Sequence, residues 1–169
     1  MRLLLIRHAI AVEREEFAST GEDDSLRPLT REGRFKMRRA AAGLKRTVSR
    51  LDLLATSPWV RAVQTAEIIA KAYRGLAFEE TDVLLPAASN AAFLEWLAPR
   101  TDHEYVAAVG HEPHLGRLAS WLLAGTDTSF IQLRKGGAIC IEFGDEVGRA
   151  KGLLAWSLPP AELRKMARD

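Results

Sequence analysis

Short apolar runs alternate along the chain with longer stretches of helical periodicity. Residues 2–6 (RLLLI) form an unbroken apolar run, the mark of a strand covered on both faces. The stretch "VEREEFASTGEDDSLRPLT" is acidic, contains Gly21 and Pro28, and reads as a long loop. Thr30 stands where an N-cap belongs and opens a helix to about residue 48, with Met37, Ala41, Leu44 and Val48 on one face. "LDLLATS" (51–57) predicts a second buried strand. Ser57–Pro58 predicts the start of a helix reaching about Tyr73 and stopping at Gly75. A third strand falls within "LAFEETDVLL", a short helix over 89–98 and a fourth strand at "EYVAAVG" (104–110). Pro113 opens a helix ending at Gly125. "GGAICIEF" and "GLLAWSL" alternate more than the earlier strands and predict an antiparallel or edge pair. Pro159 and Pro160 begin a last helix.

Strand–helix alternation without repeats or linkers predicts one α/β domain over 1–169, an open sheet layered with helices. Such sheets bind ligands beyond the carboxyl ends of their strands. That rule gives meaning to Arg7 and His8, two polar residues closing the first apolar run. The second strand end delivers Arg61 in "TSPWVRAVQTA", and the fourth delivers His111 in "VGHEPHLG". Two arginines, two histidines and nearby helix N-termini converge on one preference, a tetrahedral oxyanion such as phosphate. Flanking positive charge is expected to keep His8 neutral and able to attack phosphorus. Arg7, Arg61 and His111 are expected to stabilise the charge on the transferring oxygens.

The segments "LIRHA", "SLRPLTREG", "ATSPWVRAVQTAEII" and "VAAVGHEPHLG" resemble the histidine phosphatase superfamily, most closely its small SixA-type phosphohistidine phosphatases. The resemblance runs through "LRKGGAICIEF" and "LPPAELR" and so covers essentially the whole chain. It implies a three-layer α/β/α sandwich of phosphoglycerate mutase-like type, with a mostly parallel sheet and an antiparallel edge. It also implies a covalent phosphohistidine on His8, hydrolysed by water to inorganic phosphate. Arg7, Arg61 and His111 match the phosphoryl-binding residues, and Arg27 of the "RPLT" stretch matches the pocket mouth. No metal or cofactor is implied. The implied partner is a phosphohistidine-carrying protein such as a histidine phosphotransfer domain, within signal transduction. Two departures stand out. Ala9 replaces the commoner glycine, and "DVLLPAASNAAFLEWL" lacks the insertion with a leaving-group acid found in larger members. An imidazole leaving group needs such an acid less than an alkoxide does, which favours a P–N substrate. A small-molecule phosphomonoesterase of the same superfamily and a non-catalytic phosphate-binding scaffold are the competing readings.

Composition narrows this picture only a little. Net charge is +2 and no reader motif accompanies it, so nucleic acid is not expected. The N-terminal run is too short for a signal core or a membrane span, which makes a cytoplasmic protein the expectation. Cys140, the single cysteine, excludes an internal disulfide and reads as a small core residue. Glu112 is a candidate proton donor, set against capping its helix or orienting a neighbour. His111 and His114 lack the pattern of a metal site, and His103 reads as exposed. Arg31, Arg34, Lys36, Arg38, Arg39, Lys45 and Arg46 crowd one helix around Phe35. This is either a solvated face or a surface for an acidic partner.

Overall fold

A computed structural model describes residues 1–167; the last two positions of the expected domain, Arg168 and Asp169, lie outside the described residues. The strands are β1 (Arg2–Arg7), β2 (Leu53–Thr56), β3 (Glu79–Glu80), β4 (Tyr105–Gly110), β5 (Ala138–Glu142) and β6 (Leu153–Leu158). The helices are α1 (Arg14–Ala18), α2 (Arg31–Thr47), α3 (Val60–Ala72), α4 (Asn90–Leu97), α5 (His114–Ala124) and α6 (Pro160–Met166). The strands form one sheet in the order β3-β2-β4-β1-β5-β6. β1 to β4 are mutually parallel, β5 runs antiparallel to β1, and β6 runs antiparallel to β5.

The pleat sorts the apolar run of β1 into two cores. Leu4 and Ile6 pack with α2, α3 and α6 through Met37, Ala41, Leu44, Ile69 and Leu163. Leu3 and Leu5 pack with α4 and α5 through Phe93, Leu97, Leu115 and Leu118. Burying about 1.5–3 kcal/mol worth of side chain at each such position on both faces makes the sheet the middle of three layers. Close approach is built in at glycine. A Cβ on Gly33 would overlap the Ile10 carbonyl, and one on Gly43 would overlap the Leu163 carbonyl where α2 meets α6.

The chain leaves β1 for α2 on one face and leaves β4 for α5 on the other, although β1 and β4 are neighbours. That divergence opens a crevice at the carboxyl ends of β1 and β4, the switch point where α/β sheets bind ligands.

Several elements differ from the sequence-based expectation. The acidic loop before α2 contains the short helix α1 and a 3-10 turn at Asp24–Leu26, and an Ala11–Leu29 bridge closes it. Ser57 does not cap the following helix; α3 starts at Val60 after Trp59, with no side-chain cap, and the Ser57 hydroxyl lies against His111. The third strand shrinks to two residues, and its apolar tail Asp82–Leu84 forms a 3-10 turn that buries Leu84 in the second core. β5 and β6 pair antiparallel as expected, but β5 is interior and buried along nearly all its length; β6 forms one edge of the sheet and β3 the other. Thr30 and Ser89 do cap α2 and α4, accepting from Gly33 N–H at 2.9 Å and Ala92 N–H at 3.1 Å. Among the described residues no helix is long and apolar enough to cross a membrane.

Candidate active site

The crevice is a cleft of about 320 Å³ whose walls include Arg7, His8, Arg27, Arg61, His111 and Glu112. The six site candidates named from the sequence are therefore brought together, whereas His103, His114 and Cys140 lie outside the lining. Trp59, Lys135, Glu13, Arg14, Pro86 and Pro113 complete the lining.

Backbone bonds from both sides fix the end of β1. His8 N–H donates to the Gly110 carbonyl (3.0 Å), and Arg7 N–H donates to that of Gly137 (3.1 Å). Gly136 N–H donates back to the carbonyls of Arg7 and His8. The His8 ring is set by its own chain: Nδ1 lies 2.7 Å from the Ala9 carbonyl oxygen. A carbonyl only accepts, so Nδ1 carries the proton and Nε2 keeps its lone pair. Ala9 N–H donates to Thr65 Oγ1 (3.0 Å), and the Thr65 hydroxyl donates to the Arg61 carbonyl (2.7 Å). This chain of bonds ties β1 to the first turn of α3.

His8 is buried, and its pKa is pushed down to about 3. Burial is the largest cause; the Ala9 bond opposes it, and Arg61, Arg7 and Arg27 add to the depression. Desolvation therefore outweighs the flanking charge expected from the sequence. His111, with its ring centroid 5.1 Å from that of His8, is pushed down to about 2 by burial, then by His8 and Arg61. Both rings are neutral at physiological pH.

The arginines are held at fixed angles. Arg7 donates through Nη1 to the Leu133 carbonyl (2.8 Å). Arg61, 2% exposed, donates to the Asp24 carbonyl (2.7 Å) and to Asp24 Oδ2 (3.1 Å), and its guanidinium lies 4.4 Å from the Trp59 ring centre. Burial and the Arg27 charge lower its pKa to about 10. Arg27, also buried, donates to Asp24 Oδ1 and to the Val12 carbonyl, both at 2.7 Å. Asp24 thus forks between two buried guanidiniums. Burial pushes its carboxyl up, but the Arg27 hydrogen bond and the Arg61 and Arg27 charges hold it below its ordinary value.

The sequence assigns no role at the site to Asp24 or to Ser57, the latter read only as a helix start. Ser57 Oγ accepts from Trp59 N–H (3.3 Å) and lies 2.8 Å from His111 Nε2. Among the described residues His111 Nε2 is the one acceptor within reach of the Ser57 hydroxyl, and a Ser57 O–H donated to it leaves the His111 proton on Nδ1. Glu112 spends both carboxylate oxygens on backbone amides, Leu133 N–H at 2.6 Å and Gly116 N–H at 3.2 Å. This geometry ties the 129–133 segment to the start of α5, a positioning role for Glu112. His114 is fully buried with neither ring nitrogen partnered, and burial lowers its pKa to about 4. His103 is half-buried.

Three buried nitrogens of the cleft residues have no partner among the described residues: Arg7 Nε, Arg61 Nε and His111 Nδ1. Leaving a buried donor unpaired costs about 1–3 kcal/mol. Gathered on residues that line one cleft, the three nitrogens leave a local excess of unpaired polar groups there.

The model of the histidine phosphatase superfamily (branch 1) matches residues 3–85. An uncharacterized protein of Picosynechococcus sp. is 34% identical over 146 residues, covering 85% of this chain and 86% of that one. The chain belongs to the histidine phosphatase superfamily, and is by class a phosphatase with a phosphoglycerate mutase-like fold. Among solved structures, the protein histidine phosphatase SixA complexed with tungstate is similar with a TM-score of 0.83 at 23% identity, over 96% of this chain and 99% of that one. The alpha-ribazole phosphatase from Shigella flexneri is similar with a TM-score of 0.75 at 16% identity, over 95% and 97%.

Proposed function

We propose that the protein is a phosphohistidine phosphatase with His8 as nucleophile. The observation that carries this reading is the His8 tautomer. Its Nδ1–H is committed to the Ala9 carbonyl, so a neutral Nε2 faces chemistry among Arg7, Arg27, Arg61 and His111. Nε2 attacks phosphorus in line with the bond to the leaving imidazole. The P–N bond breaks, its electron pair stays on the departing nitrogen, and that nitrogen takes a proton from solvent. Arg7, Arg61 and the Nδ1–H of His111 hold the equatorial oxygens, and Arg27 holds the mouth. Water then attacks phosphorus and loses a proton, His8 leaves with its electron pair, and inorganic phosphate departs.

The leaving group decides the substrate. Glu112 is occupied by two amides, and Pro86 stands on the side of the cleft where the short 83–96 segment passes. A site without an engaged acid suits imidazole better than an alkoxide. The likeness to SixA supports the same reading. A phosphomonoester reading is favoured by one feature, the exposed carboxylate of Glu13 on the cleft wall, and by the likeness to a ribazole phosphatase. The test compares phosphate release from a histidine-phosphorylated protein and from alkyl and aryl phosphates, with wild type and His8→Ala. Preference for phosphohistidine, lost in the variant, is the expected result. Faster alkyl ester cleavage, lost on Glu13→Gln, selects the second reading.

A further inference from the structure

A second concavity lies beside the cleft, about 260 Å³, on the same edge of the sheet. Its floor is apolar, formed by Ile10, Met37, Ala40, Pro159 and Pro160. Its rim carries Lys36 of α2, Arg134 and Lys135 of the strap before β5, and Arg164 of α6. Among the described residues no aspartate or glutamate lines it; Glu32, which pairs with Lys36, lies outside the lining. Even with Lys36 paired to Glu32, Arg134, Lys135 and Arg164 leave a local excess of positive charge around the groove in a chain whose net charge is only +2.

The groove is joined to the nucleophile. Lys135 lines both concavities, and Ala9 and Ile10, the residues after His8, form the near wall. Gly136 donates to the carbonyls of Arg7 and His8, so the strap bearing Arg134 and Lys135 is pinned to the end of β1. A protein that presents a phosphohistidine to His8 has its flanking surface over Lys135 and the groove. By contrast, Arg46 stands 13 residues along α2 from Gly33, which places it about 20 Å from this edge. Of the basic residues of α2, Lys36 is the one that reaches the groove.

We infer that this groove docks an acidic protein surface flanking the phosphohistidine, seated on the apolar floor and steered by Lys36, Arg134, Lys135 and Arg164. The inference rests on the phosphohistidine reading above. Complementary charge of this kind raises encounter rate and fixes register.

The test uses the whole protein with Arg134→Glu/Arg164→Glu, and separately with Arg164→Glu alone. The substrates are an acidic histidine phosphotransfer domain phosphorylated on histidine, free phosphohistidine and an aryl phosphate. The expected result is a roughly tenfold fall in kcat/KM for the phosphoprotein in the double variant, carried by KM. Free phosphohistidine and aryl phosphate turnover stay at wild-type values, and added salt slows the protein reaction more in wild type than in the variant. Phosphoprotein turnover within twofold of wild type, with free phosphohistidine still cleaved, refutes the docking groove and leaves the substrate reading intact. Equal losses on all three substrates in both variants also refute it. A wild-type enzyme that cleaves the aryl ester but neither form of phosphohistidine removes the substrate reading, and the groove's assignment falls with it.

Discussion

Asp24 holds two buried guanidiniums at once, and its replacement by alanine is the most informative single change outside the nucleophile. Two hydrogen bonds to charged groups are lost, from Arg27 Nε at 2.7 Å and Arg61 Nη2 at 3.1 Å. Bonds of this type contribute about 1.5–3 kcal/mol each. The Asp24 side chain is 33% exposed while those of Arg27 and Arg61 are 8% and 3% exposed, so solvent screens the carboxylate far more than the cations. Discounting for that screening leaves roughly 3 kcal/mol, which for a chain of this size lowers Tm by about 6–12 °C. Arg61 keeps its bond to the Asp24 carbonyl and its stacking on Trp59, so the guanidinium stays in the cleft with its second anchor gone. Small displacements of a positioning group cost about 10² in rate, and the fall is expected in kcat. An added oxyanion takes over as counter-ion for the freed cations, so inorganic phosphate raises the Tm of Asp24→Ala more than that of wild type. Thermal melts with and without phosphate, beside steady-state kinetics on an aryl phosphate, make the comparison. A variant that melts at the wild-type temperature, gains no more from phosphate and retains kcat within threefold refutes the reasoning.

Other outcomes follow from the same geometry. His8, His111 and His114 have pKa values depressed to about 3, 2 and 4. Below about pH 6.5 the unfolded chain binds protons that the fold does not, so stability is full above that pH and falls as pH drops toward 4. Each histidine contributes up to about 1.4 kcal/mol per pH unit, and urea midpoints that stay flat from pH 7.5 to 5 contradict the burial account. Ser57→Ala frees Nε2 of His111 and unfixes its tautomer; kcat is expected to fall about tenfold, Ser57→Thr to restore part of it, and KM to change little, as steady-state kinetics report. Gly43→Ala drives a methyl into the Leu163 carbonyl and separates α2 from α6; a loss of about 1–3 kcal/mol in urea unfolding is expected, with kcat unchanged.

The strand ends were the legible part of the site. Arg7, His8, Arg61 and His111 follow apolar runs or open helices, and α/β topology alone brings such positions to one edge. Asp24 and Ser57 were not legible, because their partners are tertiary. Asp24 sits in "GEDDS" and reads as solvated acid; its link to Arg61 spans 37 positions, and only the i,i+3 spacing to Arg27 gives a local hint. Ser57–Pro58 carries a helix-start signal, yet β4 brings His111 to the hydroxyl and the helix begins later. The third strand was overdrawn for a similar reason. "DVLL" has strand composition, but the pairing partner β2 ends at Thr56, and Leu84 is buried by turning inward. The order of desolvation over charge at His8 depends on how completely the fold covers the ring, which no spacing reveals.

The central claim is that a neutral His8 attacks through Nε2 because the Ala9 carbonyl holds its Nδ1 proton. Rapid quenching in alkali during turnover, followed by phosphorus NMR and mass spectrometry of the trapped protein, tests it directly. The account predicts one phosphoryl group on His8, bonded to Nε2, stable in base, labile in acid and absent from His8→Ala. Phosphorylation at Nδ1, at His111, or turnover without any trapped intermediate would contradict it.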